Sequence, residues 1–248
     1  MDKQDEEKGM LSPYVSVDCV LLSIKNDKLT VLLTEIEMGE EADKSIGCRL
    51  PGSFIYEFED LKDAAYRVLR ESVGLDQVSL RQFRCFGSPS RMAHKQDVEW
   101  LRRMSGLAIG RLITVPYLAF CGSDRRVGSA DISNRLAWYS LDRLPKLLFD
   151  QREIIEVAVE ELRYWAEKEP SIVFDYLPLK FTVFQMRRTY ELIYGRSLDV
   201  RNFQKKMNSL GYIQPTDDWQ DGVAHRAARY YRFDRMRYEQ QRSKYNKI

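Results

Sequence analysis

Apolar residues along this chain follow two alternating periods. Val, Leu and Ile dominate Tyr14–Ile24 and Leu29–Ile36, and the polar Lys25-Asn26-Asp27-Lys28 between them predicts a β-hairpin. Glu40–Gly47 reads as a polar loop and Arg49–Ile55 as a further strand. The period then becomes helical: Leu61, Ala64, Ala65, Val68, Leu69 and Val73 share one face, with Asp60 placed to cap and Gly74 to close the helix. Val78–Phe86, Arg111–Phe120 and Arg135–Ser140 are strand candidates, and Ser88–Gly110 holds a helical stretch around Asp97–Met104. Asp150 is placed to cap a helix whose apolar positions are Ile154, Ile155, Val157, Ala158, Leu162 and Trp165. This order predicts a mixed sheet flanked by helices.

The pattern changes again after Pro170–Pro178, which reads as an extended, packed connector. Thr182 caps a helix running to Tyr194, ended by Gly195, and Asp199 caps a second over Val200–Leu210. Phe203, Met207 and Leu210 fall on the inner face of that second helix, so Arg201, Asn202, Lys205 and Lys206 point outward in its first turns. Two short helices with Arg, Asn and Lys at the start of the second form a helix-turn-helix signature, and these residue types read guanine and adenine edges. A strand over Tyr212–Gln214, a loop over Pro215–Ala224 and a return strand over Arg229–Phe233 then form a wing, with His225, Arg226 and Arg229 at its rim. The expected division is a disordered terminus over 1–13, a first domain over 14–168, a connector over 169–180, a DNA-binding domain over 181–235 and a basic tail over 236–248.

Charge sharpens that division. Residues 180–248 carry 15 Lys and Arg against 7 Asp and Glu, whereas residues 1–179 carry 24 against 30. A basic C-terminal third on a mildly acidic body suits a nucleic-acid partner. No apolar run approaches the ~20 residues that span a bilayer, and the charged start MDKQDEEKGM lacks a secretory apolar core. Cys19, Cys48, Cys85 and Cys121 lack metal-ligand spacing and read as the free thiols of a cytoplasmic protein. Neither a metal nor a cofactor is expected.

The stretch Leu50–Leu75 carries the chemistry. Ser53, Glu59, Arg67, Val68, Glu71, Ser72 and Gly74 fall in the frame of the Nudix box, which the stretch resembles. In that box, carboxylates at the positions of Val68, Glu71 and Ser72 share a helix face and hold a divalent cation on a pyrophosphate. Two of the three are missing here, so the resemblance implies the fold without the hydrolase centre and no catalytic residue. An active Nudix hydrolase, with Glu57, Glu59 and Glu71 as a substitute metal site, is the alternative.

The C-terminal runs LPLKFTVFQMRRTYELIYG, DVRNFQKKMNSLGYI and HRAARYYRF resemble the winged-helix half of the Nudix-related transcriptional regulators of NrtR type, and look most like their sugar- or arabinose-responsive members from Bacteroidetes. The resemblance spans about residues 14–235. It implies an α+β fold, with a Nudix-like α/β/α sandwich followed by a winged helix-turn-helix domain. It also implies a homodimer binding double-stranded operator DNA under control of a small-molecule effector, either a sugar or a nucleotide such as ADP-ribose. Asp18, Arg49, Arg91 and Arg111 are the charged residues in or beside apolar strands and are the candidates to meet that effector. Met92–Gly106 reads as an insertion or flap.

Overall fold

Asn26 and Asp27 both adopt left-handed backbone, with φ of 50° and 57°, as a two-residue turn matched to strand twist requires. They join β1 (Tyr14–Lys25) to β2 (Lys28–Met38). The computed structural model describes residues 14–38, 45–76, 78–122, 135–222 and 227–245. The first 13 residues, read above as disordered, lie outside that description.

Val17, Cys19, Val20, Leu21 and Leu22 of β1 are wholly buried, which is why this strand reads as a continuous apolar run and not an alternating one. The sheet order is β3-β2-β1-β6-β5, with β4 added to β1 and β7 to β2. Here β3 is Ser45–Arg49, β4 Gly52–Phe54, β5 Arg81–Gln82, β6 Leu112–Phe120 and β7 Arg135–Ser140. Helices α1 (Leu61–Val68), α2 (Lys95–Ser105) and α3 (Gln151–Lys168) complete this part of the chain. The expected Nudix-like sheet-and-helix architecture is present.

Three local readings need correction. Ser45–Gly47 is strand and not loop, because β2 supplies its register from Met38↔Ser45 to Ile36↔Gly47. The strand expected over Arg49–Ile55 breaks at Pro51, whose carbonyl instead accepts from Cys19 N at 2.7 Å. Of Val78–Phe86, only Arg81–Gln82 pairs along β6, with an isolated bridge from Phe86 to Thr114. Val78, Phe83 and Phe86 are buried by their side chains, so their apolarity reflects packing and not a ladder.

The chain divides into two compact units. The described residues up to Leu22, in Val31–Ala119 and on to Ala158 form one; Ser23–Thr30, Phe120–Gly122 and the residues from Val159 onward form the other. In the second unit, Ser171–Tyr176 is a helix, α4, where an extended connector was expected. Ile172 and Val173 are almost fully buried, so packing overrides their β-branched preference, and Pro170 is acceptable where a helix begins. Then come α5 (Val183–Tyr194), α6 (Val200–Ser209), β8 (Ile213–Trp219), β9 (Arg229–Phe233) and α7 (Arg235–Tyr245). Thr182 and Gln185 form a reciprocal capping box at the start of α5, and Gly195 closes it at φ 66°.

The wing differs from expectation in length, since β8 continues through Pro215–Trp219. The bridge between Phe181 and Tyr231 adds a third, one-residue rung. The basic tail is not a loose appendage. As α7 it buries Tyr238, whose ring lies 5.1 Å from Tyr212 and 5.6 Å from Phe233. Phe174 stacks on Phe233 at 4.1 Å, so α4, the wing and α7 share one aromatic core. Arg235 and Arg242 pair with Asp175 and Glu169. Removing the ring by Tyr238→Ala is expected to destabilise the protein by about 3 kcal/mol, the usual cost of a buried aromatic truncation. Chemical denaturation checks this; a change within about 0.5 kcal/mol, as at a free surface, contradicts the docking of α7.

Candidate effector pocket and DNA-binding helix

The box residues that survive are structural. Arg67 Nε and Nη2 fork onto the two carboxylate oxygens of Glu59 at 2.7 and 2.9 Å. Nη2 also donates to Phe54 O at 2.9 Å, and the guanidinium lies 4.3 Å over the Tyr56 ring. Glu59 in turn accepts from Tyr56 N at 3.1 Å. The hydrogen bonds from Arg67 hold the Glu59 carboxyl below its usual range. A charge-assisted fork of this kind fixes loop geometry well, and here it folds residues 54–59 back onto α1.

The catalytic positions do not assemble. Val68 is buried, Ser72 carries no charge, and Glu71 is exposed with its carboxylate 3.4 Å from Arg67. Residues Leu69–Val73 form a π-helical turn before Gly74 at φ 70°. Among the described residues no group of three His, Cys, Asp or Glu side chains is placed to hold a metal ion.

A cavity of about 230 Å³ opens beside this scaffold. Asp18, Arg49, Arg91, Gln151 and Trp100 give it its polar and aromatic character. Three of the four predicted effector residues therefore converge. Arg111 does not: it is exposed, donates to Gly87 O at 2.7 Å, and lies outside the cavity lining. Within Met92–Gly106, helix α2 and its caps His94 and Gly106 are formed, and the stretch contributes Trp100, Leu101, Met104 and Ser105 to the wall. Trp100 and Leu101 pack there with Met38, Ile109, Leu112 and Leu148.

Asp18 sits deepest. Its partner in register on β4 is Gly52, and a Cβ at Gly52 would overlap the Asp18 carboxylate and the Val17 carbonyl. Glycine is required here by close approach, one residue before the box position held by Ser53. Burial pushes the Asp18 carboxyl up to about 6, with Arg91, Gln151 and Arg49 pulling the other way. Arg91 donates to Phe86 O at 2.8 Å and to Asp150 Oδ1 at 2.9 Å. The Asp150 carboxylate thus serves Arg91. Arg49 Nη1 donates to the carbonyls of Leu50 and Gly52, and its guanidinium lies 5.5 Å from the Trp100 ring centre. Burial lowers its pKa. Among the described residues, the Nε atoms of both Arg49 and Arg91 are buried without a hydrogen-bond partner. Such atoms call for an explanation, and two donors beside a buried carboxylate suit a ligand bearing both acceptors and hydroxyls. Gln151, Trp100 and Phe149 were not singled out from the sequence, where a helix-start Gln and an isolated Trp give no signal.

On the second unit, α6 is capped by Asp199, which accepts from Asn202 N at 2.8 Å. Arg201, Asn202, Lys205 and Lys206 are all exposed, while Met207 is buried. The turn before α6 is sewn by Glu191, a residue that sequence reasoning missed. Its carboxylate accepts from Leu198 N at 2.9 Å and pairs with Arg187 and Arg188, which holds it below its usual range. Of the wing candidates, His225 and Arg226 lie outside the described residues. Arg229 donates to Thr216 O at 2.6 Å, pairs with Asp217 and lies over Trp219. The wing also presents Asp218 and Asp221, while α6 presents the exposed cations Arg201, Lys205 and Lys206.

Residues 173–233 match the family model of the NrtR DNA-binding winged helix domain. Over 241 residues the chain is 26% identical to the ADPR responsive transcriptional repressor NtrR of Acinetobacter baylyi, covering 95% of this chain and 88% of that protein. Its fold is similar to the crystal structure of Shewanella oneidensis NrtR, with TM-score 0.67 and 25% identity over 88% of this chain and 93% of the other. The same Shewanella protein in complex with a 27mer DNA gives TM-score 0.66 at 23% identity, over 88% and 93% of the two chains, a likeness of fold. No described helix is long and apolar enough to cross a membrane. The winged-helix match over residues 173–233 and the similarity along nearly the whole chain are thus both to NrtR-type regulators.

Proposed function

We propose that this protein is a ligand-responsive transcriptional regulator: α6 reads an operator, and the cavity around Asp18, Arg49 and Arg91 binds the effector that controls it. The observation that carries the reading is the pair of buried, partnerless Nε donors beside Asp18, next to a box whose metal-binding face is apolar at Val68. The effector contains a sugar ring. Its hydroxyls donate to Asp18 and accept from the guanidinium groups, and Trp100 offers an aromatic wall. ADP-ribose is the first candidate, because the Acinetobacter relative is described as ADPR responsive and Arg49, among the described residues, is in no ion-pair contact within 4 Å. A free pentose or hexose is the second, favoured by the cavity of about 230 Å³, smaller than the ~300–1,000 Å³ that encloses a drug-sized ligand.

The regulator acts as a homodimer on two half-sites, as helix-turn-helix proteins commonly do, and it does not hydrolyse its effector. Arg201, Asn202, Lys205 and Lys206 make the operator contacts, with the wing rim in support. A thermal-shift screen with ADP-ribose, NAD, pentoses and hexoses tests the sensor: an effector at a hundredfold excess over its Kd stabilises the native state by about 2.7 kcal/mol. No shift with any of them contradicts the reading.

Two further outcomes follow. Arg201→Ala and Asn202→Ala should each weaken binding to a selected duplex by roughly 10–100-fold, the value of one bidentate base contact, with unchanged thermal stability. Fluorescence anisotropy decides it, and wild-type affinity in both variants removes α6 from the interface. Asp18→Asn separates function from stability. Because the native carboxyl titrates near 6 against an ordinary 3.8, the wild-type protein is favoured at low pH and loses stability as pH rises through that window. The variant lacks this loss. Above pH 6 it should be the more stable protein, by on the order of 2–3 kcal/mol, while binding the effector more weakly. Melting curves from pH 4 to 8 with parallel calorimetry check both; a variant less stable at neutral pH indicates a purely structural carboxylate.

A further inference from the structure

Three consecutive residues at the start of α3 are each tied to a charged or carboxamide-linked group around the cavity. Phe149 N donates to Asp97 Oδ2 of α2 at 2.7 Å. Asp150 Oδ1 accepts from Arg91 at 2.9 Å. Gln151, 5% exposed, accepts from Leu50 N through Oε1 at 2.9 Å and donates from Nε2 to Asp18 Oδ2 at 3.1 Å. A carboxamide has one acceptor end and one donor end, so both are committed, and turning the group over breaks both bonds at once.

The backbone here is held away from its preferred conformation. Phe149 has φ 51°, a left-handed value that an aromatic residue keeps only under constraint. The preceding residues are also pinned, with Cys48 N donating to Lys146 O and Leu148 N to Cys48 O. From this anchored, strained start α3 runs unbroken for 18 residues, about 27 Å at helical rise. Its residues from Val159 onward belong to the second unit.

We propose that Phe149-Asp150-Gln151 is the output of the effector pocket: a ligand that engages Asp18 and Arg91 competes for the bonds now made by Gln151 and Asp150, and α3 carries the change into the winged-helix unit. Gln151 is a positioning residue in this scheme. A hydroxyl donating to Asp18 leaves the Gln151 amide one good acceptor fewer, and an acceptor on Arg91 loosens Asp150. Phe149 is then free to leave the left-handed region, which gives the segment two discrete arrangements that a ligand can bias. The proposal rests on the effector reading above and adds the route by which occupancy is reported.

Gln151→Met tests it, since the side chain keeps its size and loses both hydrogen bonds. The probes are ADP-ribose, L-arabinose and D-ribose, each measured by calorimetry. The DNA is a duplex selected from a random library by the wild-type protein, measured by anisotropy with and without each probe. In wild type, the bound probe should change the DNA Kd by roughly 5–150-fold, the usual range of allosteric coupling. In Gln151→Met, measured at probe concentrations that saturate the variant, that ratio should fall to within about twofold of unity, with probe-free DNA affinity kept within about fivefold. An unchanged ratio in the variant overturns the route and leaves the effector site standing. If no probe binds the wild-type protein, the effector reading fails and the route with it. Hydrogen exchange of the wild-type protein needs no variant: probe binding should alter protection of the amides from Leu148 to Ile154, and unaltered exchange there also overturns the proposal.

Discussion

The fork between Arg67 and Glu59 is the constraint on which the Nudix-like unit stands. It ties α1 to the loop over residues 54–59 and, through Phe54 O, to the end of β4. With β4 fixed, Gly52 is pressed against Asp18; with Asp18 fixed, the Gln151 carboxamide has a place to bind. The pair is little exposed and charge-assisted, so its geometry is well defined even though an ion pair of this kind adds modest net stability. A hydrolase uses the same frame to present carboxylates to a metal. Here the frame remains and the face it would present is filled by Val68, which packs into the core.

A buried carboxylate raised to about 6 and two guanidinium nitrogens without partners among the described residues are costs that folding alone gives no reason to keep. Polar groups buried in this way are offset either by internal partners or by a ligand. The internal partners are incomplete, and the cavity is where the incompleteness is concentrated. The winged-helix unit shows the complementary economy. Its arginines at 229, 235 and 242 are engaged by carboxylates within the unit, whereas the four polar positions of α6 face outward. The exposed Arg201, Lys205 and Lys206 of α6 therefore stand in contrast to those paired arginines.

Much of this was legible in the sequence, for identifiable reasons. The hairpin turn at Asn26-Asp27, the caps at Asp60, Thr182 and Asp199 and the glycine stops at 74 and 195 are local chemistry, and each stands where it was expected. Asp18, Arg49 and Arg91 stood out because charges in apolar runs need partners, and they converge on one cavity. What failed was what tertiary packing decides. Ile172 and Val173 looked extended and are helical; Pro215 and Trp219, read as loop, pair with β9 across an irregularity; the basic tail, to which the sequence assigned no role, is docked as a helix through Tyr238. Arg111 carried the same signal as Arg49 and lies outside the cavity lining. Gln151 gave no signal, because nothing local marks a glutamine whose partners are 101 and 133 residues away.

The central claim is that a Nudix-like scaffold has been kept for binding without the chemistry of its box. Phosphorus NMR of ADP-ribose incubated with the full-length protein and Mg²⁺ addresses it directly. The account predicts that the diphosphate resonances persist unchanged at stoichiometric protein concentration over hours. Conversion of those resonances into two phosphomonoester signals would contradict it, and would return Glu59 and Glu71 to catalytic roles.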